Sequence, residues 1–117
     1  MRKSKYGVSP KAERTYKGTV YMSKLEMMYR KHLDLLERIP HFEKNHVAYF
    51  MEQVPFKIEI NGKKICVYKL DFQVHYSDGR IEYVDCKGVK TAIYSLKKKL
   101  VEAIFGIKIK EVKRGEF

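Results

Sequence analysis

The stretch Tyr68 to Gly88, YKLDFQVHYSDGRIEYVDCKG, constrains the fold more than any other part of the chain. It reads as two strands joined by a tight turn at Ser77-Asp78-Gly79, with Gly79 in the left-handed position that closes a three-residue hairpin loop with a bulge. That loop sets Tyr76 opposite Arg80 and Asp71 opposite Asp85. Leu70, Phe72, Val74, Val84 and Cys86 then share one face, and Asp71, Asp85 and Lys87 share the other. A two-residue Asp-Gly turn would slide the strands by one residue and mix charged with apolar side chains on both faces, so the hydrophobic pattern selects the first register. The ribbon therefore brings two carboxylates and a lysine together.

A chain of 117 residues is one domain with one modest core. With 44% hydrophobic and 13% aromatic residues it has the composition of a folded protein. Its net charge of +11 points to a polyanion, nucleic acid first; a solvated basic surface is the plainer reading. Two cysteines, Cys66 and Cys86, are too few for a disulfide framework and fit a reducing, cytoplasmic setting. Residues 1–20 hold no apolar run and no stretch reaches transmembrane length, so neither a secretory leader nor a membrane partner is expected.

In chain order, residues 1–18 form a basic N-terminal arm carrying Lys3, Lys5, Lys11, Arg14 and Lys17, either a reach along a phosphate backbone or a disordered end. The folded domain spans residues 19–117. A helix runs from Ser23 to about Arg38, with Leu25, Met28, Tyr29, His32, Leu36 and Ile39 as its apolar stripe and Pro40 as its stop. Ser23 followed by Glu26 is a capping box. Strand character begins at Val47, with Pro55 marking an edge or a bend. Asn61-Gly62 turns the chain back, and a switch in apolar parity predicts a bulge between Val67 and Tyr68. Thr91 to about Phe105 is a second helix with Ile93, Leu96, Leu100, Val101 and Ile104 inward, ended by Gly106. Ile107 to Val112 is a last short strand. The order α-β-β-β-α-β predicts an α/β (α+β) domain with a mixed central sheet flanked by helices.

Two facing aspartates suit a hard cation, Mg²⁺ or Mn²⁺, rather than zinc; a surface ion pair of these acids with Lys69 and Lys87 is the alternative. Cys86 faces the core, which favours packing over nucleophilic chemistry.

Asp71 followed by Asp85-Cys86-Lys87 resembles the D…(D/E)xK signature of the PD-(D/E)xK nuclease superfamily, with Leu70 where the motif's name has proline. The placement fits as well: an acid in the second strand, the acid-x-lysine ending the third, and Glu26 early in a preceding helix. The sequence around these residues (SKLEMMYRKHL, DCKG, TAIYSLKKKL) is similar to small phage-encoded nucleases, including Holliday-junction resolvases. The resemblance implies a restriction-endonuclease-like domain and a Mg²⁺-dependent endodeoxyribonuclease with no organic cofactor. It implies a metal held by Asp71, Asp85 and the backbone carbonyl of Cys86, with Glu26 as a direct or water-mediated ligand, and Lys87 beside the reacting phosphate. Glu26 keeps its other reading as the capping partner of Ser23. Gln53, Lys90, Tyr94, Lys97 and Lys98 are expected to contact DNA, with the basic residues of the arm. The implied substrate is branched double-stranded DNA, and paired nicks across a four-way junction call for a homodimer. A less selective nicking nuclease and a catalytically silent DNA-binding module on the same fold are the alternatives.

Overall fold

The computed structural model describes residues 9–117. After a short 3₁₀ turn at Lys11–Arg14 the elements are β1 (Thr15–Tyr16), β2 (Thr19–Val20), α1 (Lys24–Arg38), β3 (Val47–Ile60), β4 (Lys63–Tyr76), β5 (Ile81–Cys86), α2 (Ala92–Phe105) and β6 (Ile109–Val112). The main sheet has the order β3-β4-β5-β6, antiparallel except for the parallel pair β5–β6. It is the expected mixed sheet with helices against it. No helix among the described residues is long and apolar enough to cross a membrane.

The β4–β5 register is the predicted one. Phe72 faces Val84 and His75 faces Ile81, Gly79 sits at φ +95°, and its N–H donates to the Tyr76 carbonyl. The Asn61-Gly62 turn also forms, with both residues at positive φ as a two-residue hairpin requires. Pro55 lies in β3, an edge strand, where a missing N–H costs least.

Four expectations change. The slip in the β3–β4 ladder comes at Ile65, between the pairs Ile58–Cys66 and Glu59–Lys64, and not between Val67 and Tyr68. The parity switch that suggested the later position reflects Ile65 and Val67 standing exposed on an uncovered face.

Leu70 does not share a core with Phe72. Phe72, Val74, Val84 and Cys86 pack with Tyr29 and Leu33 of α1, whereas Leu70 and Tyr68 join Val101 of α2 and Ile109. The change of partner happens where Gln53 of β3 adopts φ +51° and β4 and β5 begin to part.

The inner face of α2 is also rotated. Tyr94 and Val101 are buried, Phe105 meets Phe56 edge-on at 5.0 Å, and Leu100 is half-buried. Ile93 and Leu96 are 68% and 59% exposed, and Ile104 is exposed too. Aromatic contacts with the sheet outweigh the aliphatic periodicity. In α1 the stripe likewise moves, with Met27 and Leu33 fully inside alongside Tyr29.

The described part of the basic N-terminal segment is engaged with the rest of the domain. Arg14 donates to the carbonyls of Ser9 and Tyr21, Tyr16 donates to Asp34 at 2.7 Å, and Lys17 lies 3.2 Å from the same carboxylate. Residues 11–20 are thereby tied to α1. Asp34 is buried and receives Arg30 as well, so removing it would strand several donors at once. Lys3 and Lys5 lie outside the described residues.

Candidate functional site

Three elements deliver a carboxylate each to the place where β4 and β5 part. The first is Glu26, in the opening turn of α1. Ser23 caps this helix by accepting the Glu26 N–H at 3.1 Å. The reciprocal half of a capping box is absent, because the Glu26 carboxylate turns away and accepts Nε2 of Gln53 at 2.9 Å. The side chain is nearly fully buried. Its competing role as a helix cap thus falls away, and its carboxylate belongs to the cluster.

Asp71 fills the opening where β4 and β5 part after the Phe72–Val84 pair. One oxygen accepts the backbone N–H of Cys86 at 2.8 Å, and the other accepts Gln53 Nε2 at 3.3 Å. Asp85 is only 1% exposed. One of its oxygens accepts the Tyr68 hydroxyl. The other, Oδ1, has Lys87 Nζ 3.4 Å away but no hydrogen-bond partner among the described residues. A surface ion pair is therefore the wrong description of this aspartate. Lys87 itself is 30% exposed at the side chain and its ammonium sits 4.4 Å over the ring of Tyr94.

The electrostatics follow from the crowding. Burial pushes the Glu26 carboxyl up to about 7, and the charges of Glu52 and Asp85 add to the effect, while the hydrogen bond from Gln53 and the charge of Lys87 oppose it. Asp71 moves well above the usual carboxylate range for the same reasons: burial first, then the negative charges of Asp85 and Glu26. Burial and mutual repulsion thus make Glu26 and Asp71 keep a proton, or accept a cation, more readily than an ordinary carboxylate does. The Cys86 thiol is also pushed up by burial and by these acids, which rules it out as a ready thiolate nucleophile.

A cleft of about 890 Å³ opens over the cluster, lined by Glu26, Asp71, Cys86 and Lys87 together with Lys24 and Arg114. Lys113 lies on the same wall. Lys24, Lys113 and Arg114 enter no salt bridge among the described residues, and no sequence motif marks them. A smaller hollow of about 440 Å³ lies between α1 and Phe117. Its acids are already engaged, Glu82 by the Tyr76 hydroxyl and Lys110, Glu111 by Tyr94 and Lys90, and Glu116 by the backbone N–H of Lys113.

Several expected DNA contacts have other occupations. Tyr94 is buried and its hydroxyl donates to Glu111 at 2.8 Å, so it supports Lys87 and does not meet a phosphate. Lys90 and Lys98 converge on the same Glu111, at 2.8 and 3.7 Å, and Lys97 donates to the Val67 carbonyl. Gln53 is spent on the two carboxylates. Sequence reasoning missed Tyr68, because a tyrosine in an apolar strand reads as core until its hydroxyl's partner is known.

Among the described residues no group of three or more His, Cys, Asp or Glu side chains stands ready-arranged around a metal position. The donors nonetheless suit a hard divalent cation: they are carboxylate oxygens only, and buried Asp85 Oδ1 lacks a hydrogen-bond donor among the described residues.

A family model described as "Protein of unknown function (DUF1064)" matches residues 3–115. The chain belongs to that family. No curated protein and no solved structure matches it significantly. The family match spans all three carboxylates, Lys87 and the Lys113–Arg114 wall of the cleft, so the whole site lies within the family's own domain.

Proposed function

We propose that this member of the family is a metal-dependent DNA endonuclease of the PD-(D/E)xK kind, acting on branched duplexes such as four-way junctions and working as a homodimer. The observation that carries the reading is the meeting of Glu26, Asp71 and Lys87 on the wall of one basic cleft, with buried Asp85 3.4 Å from Lys87. These acids come from α1, β4 and β5, and burial and crowding push Glu26 and Asp71 toward the protonated form, which a bound cation would reverse.

In this reading Asp71 and Asp85 hold Mg²⁺, with Mn²⁺ able to substitute, and Glu26 and the Cys86 carbonyl complete the oxygen set. A bound cation of this type supplies Lewis acidity toward a phosphate and acidifies a coordinated water. The chain's own groups do the rest. Tyr68 keeps Asp85 fixed and Tyr94 shelves the Lys87 ammonium beside it. Lys87 is placed to stabilise charge that grows on the phosphoryl oxygens or to orient the attacking water. Lys24, Lys113 and Arg114 line the wall along which neighbouring phosphates lie. The shape of the DNA must do the selecting, because a domain of this size has no separate module for reading bases.

Cleavage of a labelled four-way junction with Mg²⁺ and with EDTA, alongside Asp85→Asn, tests the reading. Paired nicks that need Mg²⁺ and vanish in the variant are expected. Equal cutting of flaps and linear duplex would replace the junction preference with a less selective nicking activity. Tight junction binding without product would leave a silent binding module, and full activity in Asp85→Asn would remove the assigned site.

A further inference from the structure

Gln53 is held in a conformation its residue type does not favour. Its φ of +51° lies in the left-handed region, in the middle of a fourteen-residue strand, where glycine is the residue at home. It also drops out of the ladder: Glu52 pairs with Phe72 and Val54 with Leu70, while Gln53 and Asp71 between them do not pair. The neighbours on either side point to different cores. Glu52 accepts Arg30 and Tyr21 on the α1 side, and Val54 packs in the cluster beneath α2.

Local strain of this kind persists where the side chain has a task. Here the task is visible. A carboxamide nitrogen has two hydrogens, and Gln53 Nε2 directs them at Glu26 Oε1, 2.9 Å away, and at Asp71 Oδ1, 3.3 Å away. Lys87, the cation beside them, is 3.4 Å from Asp85 instead. One neutral donor thus bridges the two acids.

We propose that Gln53 is a positioning residue: its amide nitrogen stands between Glu26 and Asp71 as a proxy for a divalent cation, keeps the two carboxylates aimed at each other, and swings aside when the cation enters. This rests on the metal-site reading above. It differs from direct phosphate contact by Gln53, because both donor hydrogens are already committed inside the cluster. Asn is the natural control. It tolerates the left-handed backbone but is one methylene too short to span both acids.

The test uses the full chain without DNA and Mn²⁺ as the probe, with affinity read by titration calorimetry and folding by thermal melts in EDTA. Gln53→Gly and Gln53→Asn are expected to fold, with a lower melting temperature in EDTA than the parent, because Glu26 and Asp71 lose their shared donor. Both are expected to bind Mn²⁺ more tightly, on the order of tenfold, because two charge-assisted hydrogen bonds no longer compete with the ion. Unchanged affinity in both variants, with the parent binding Mn²⁺, would overturn the role of Gln53 and leave the metal site standing. Weaker binding would make Gln53 a ligand and overturn it too. Absence of Mn²⁺ binding in parent and variants alike would remove the metal site itself, and the proposal with it.

Discussion

The hydroxyl of Tyr68 donates to the carboxylate of Asp85, a bond made across adjacent strands inside the core. It joins a residue of the α2 core cluster to the most buried acid of the site. The same burial that pushes the Tyr68 hydroxyl upward makes it a dependable donor, and Asp85 is aligned by that protein donor.

Tyr68→Phe is therefore expected to destabilise the fold by about 1–3 kcal/mol at neutral pH, the cost of leaving a buried carboxylate oxygen without its donor. Urea unfolding followed by circular dichroism measures this. Part of the loss should return when Mg²⁺ is added, since the ion satisfies the oxygen left alone. A loss unaffected by Mg²⁺ would separate Asp85 from the metal.

Stability should fall with rising pH across the site's own window. Glu26 is protonated in the folded chain up to about 7 but loses its proton near 4.5 when unfolded. Between those values the folded state binds more protons, so unfolding free energy drops as pH rises. Asp71 contributes in the same direction. Glu26 alone should give a decline of roughly 3–4 kcal/mol between pH 4.5 and 7 in EDTA, since each tenfold gain in proton affinity on folding is worth about 1.4 kcal/mol. Glu26→Gln should flatten the profile and be the more stable protein at pH 8. A parent profile that climbs over this range would contradict the burial of Glu26.

The cleft wall predicts a salt signature. Lys113→Ala combined with Arg114→Ala should weaken junction binding by the Asp85→Asn protein and lower the slope of log affinity against log salt by roughly 1 to 2. Lys90→Ala should change the slope much less, because its ammonium is already held 2.8 Å from Glu111. Fluorescence anisotropy at several salt concentrations measures both. Equal effects from the two sets would move the DNA path toward α2.

Paired nicking requires two copies, and the exposed stripe of Ile93, Leu96 and Ile104 on α2 is the surface to probe. The parent is expected to sediment as a dimer and Leu96→Glu as a monomer, with unchanged thermal stability of the protomer because Leu96 is outside the core. Dimers that survive Leu96→Glu would direct attention to another face.

How much of this was legible beforehand depends on the range of the interactions involved. The β4–β5 register could be read directly from Phe72 to His75, because a glycine-bearing turn and an alternating pattern are local and a slip would invert every side chain; the ladder ends before Asp71 and Asp85, which do not pair. The helix cap at Ser23 was legible for the same reason, being settled within three residues. The side-chain partners were not. That Glu26 leaves its cap for Gln53, that α2 turns Tyr94 and not Ile93 to the sheet, and that Lys90 is taken by Glu111 depend on residues far apart in the chain.

The sequence by itself determined the order of the main helices and strands from α1 onward, the ribbon that carries the two aspartates, and the strongly basic character of the chain. Only the tertiary structure decided that Asp85 is buried, that Gln53 leaves the ladder to bridge two acids, and which cations border the cleft. Alternation and capping act between near neighbours, whereas burial and hydrogen-bond choice are set by whichever distant side chains the closed fold brings within about 3 or 4 Å.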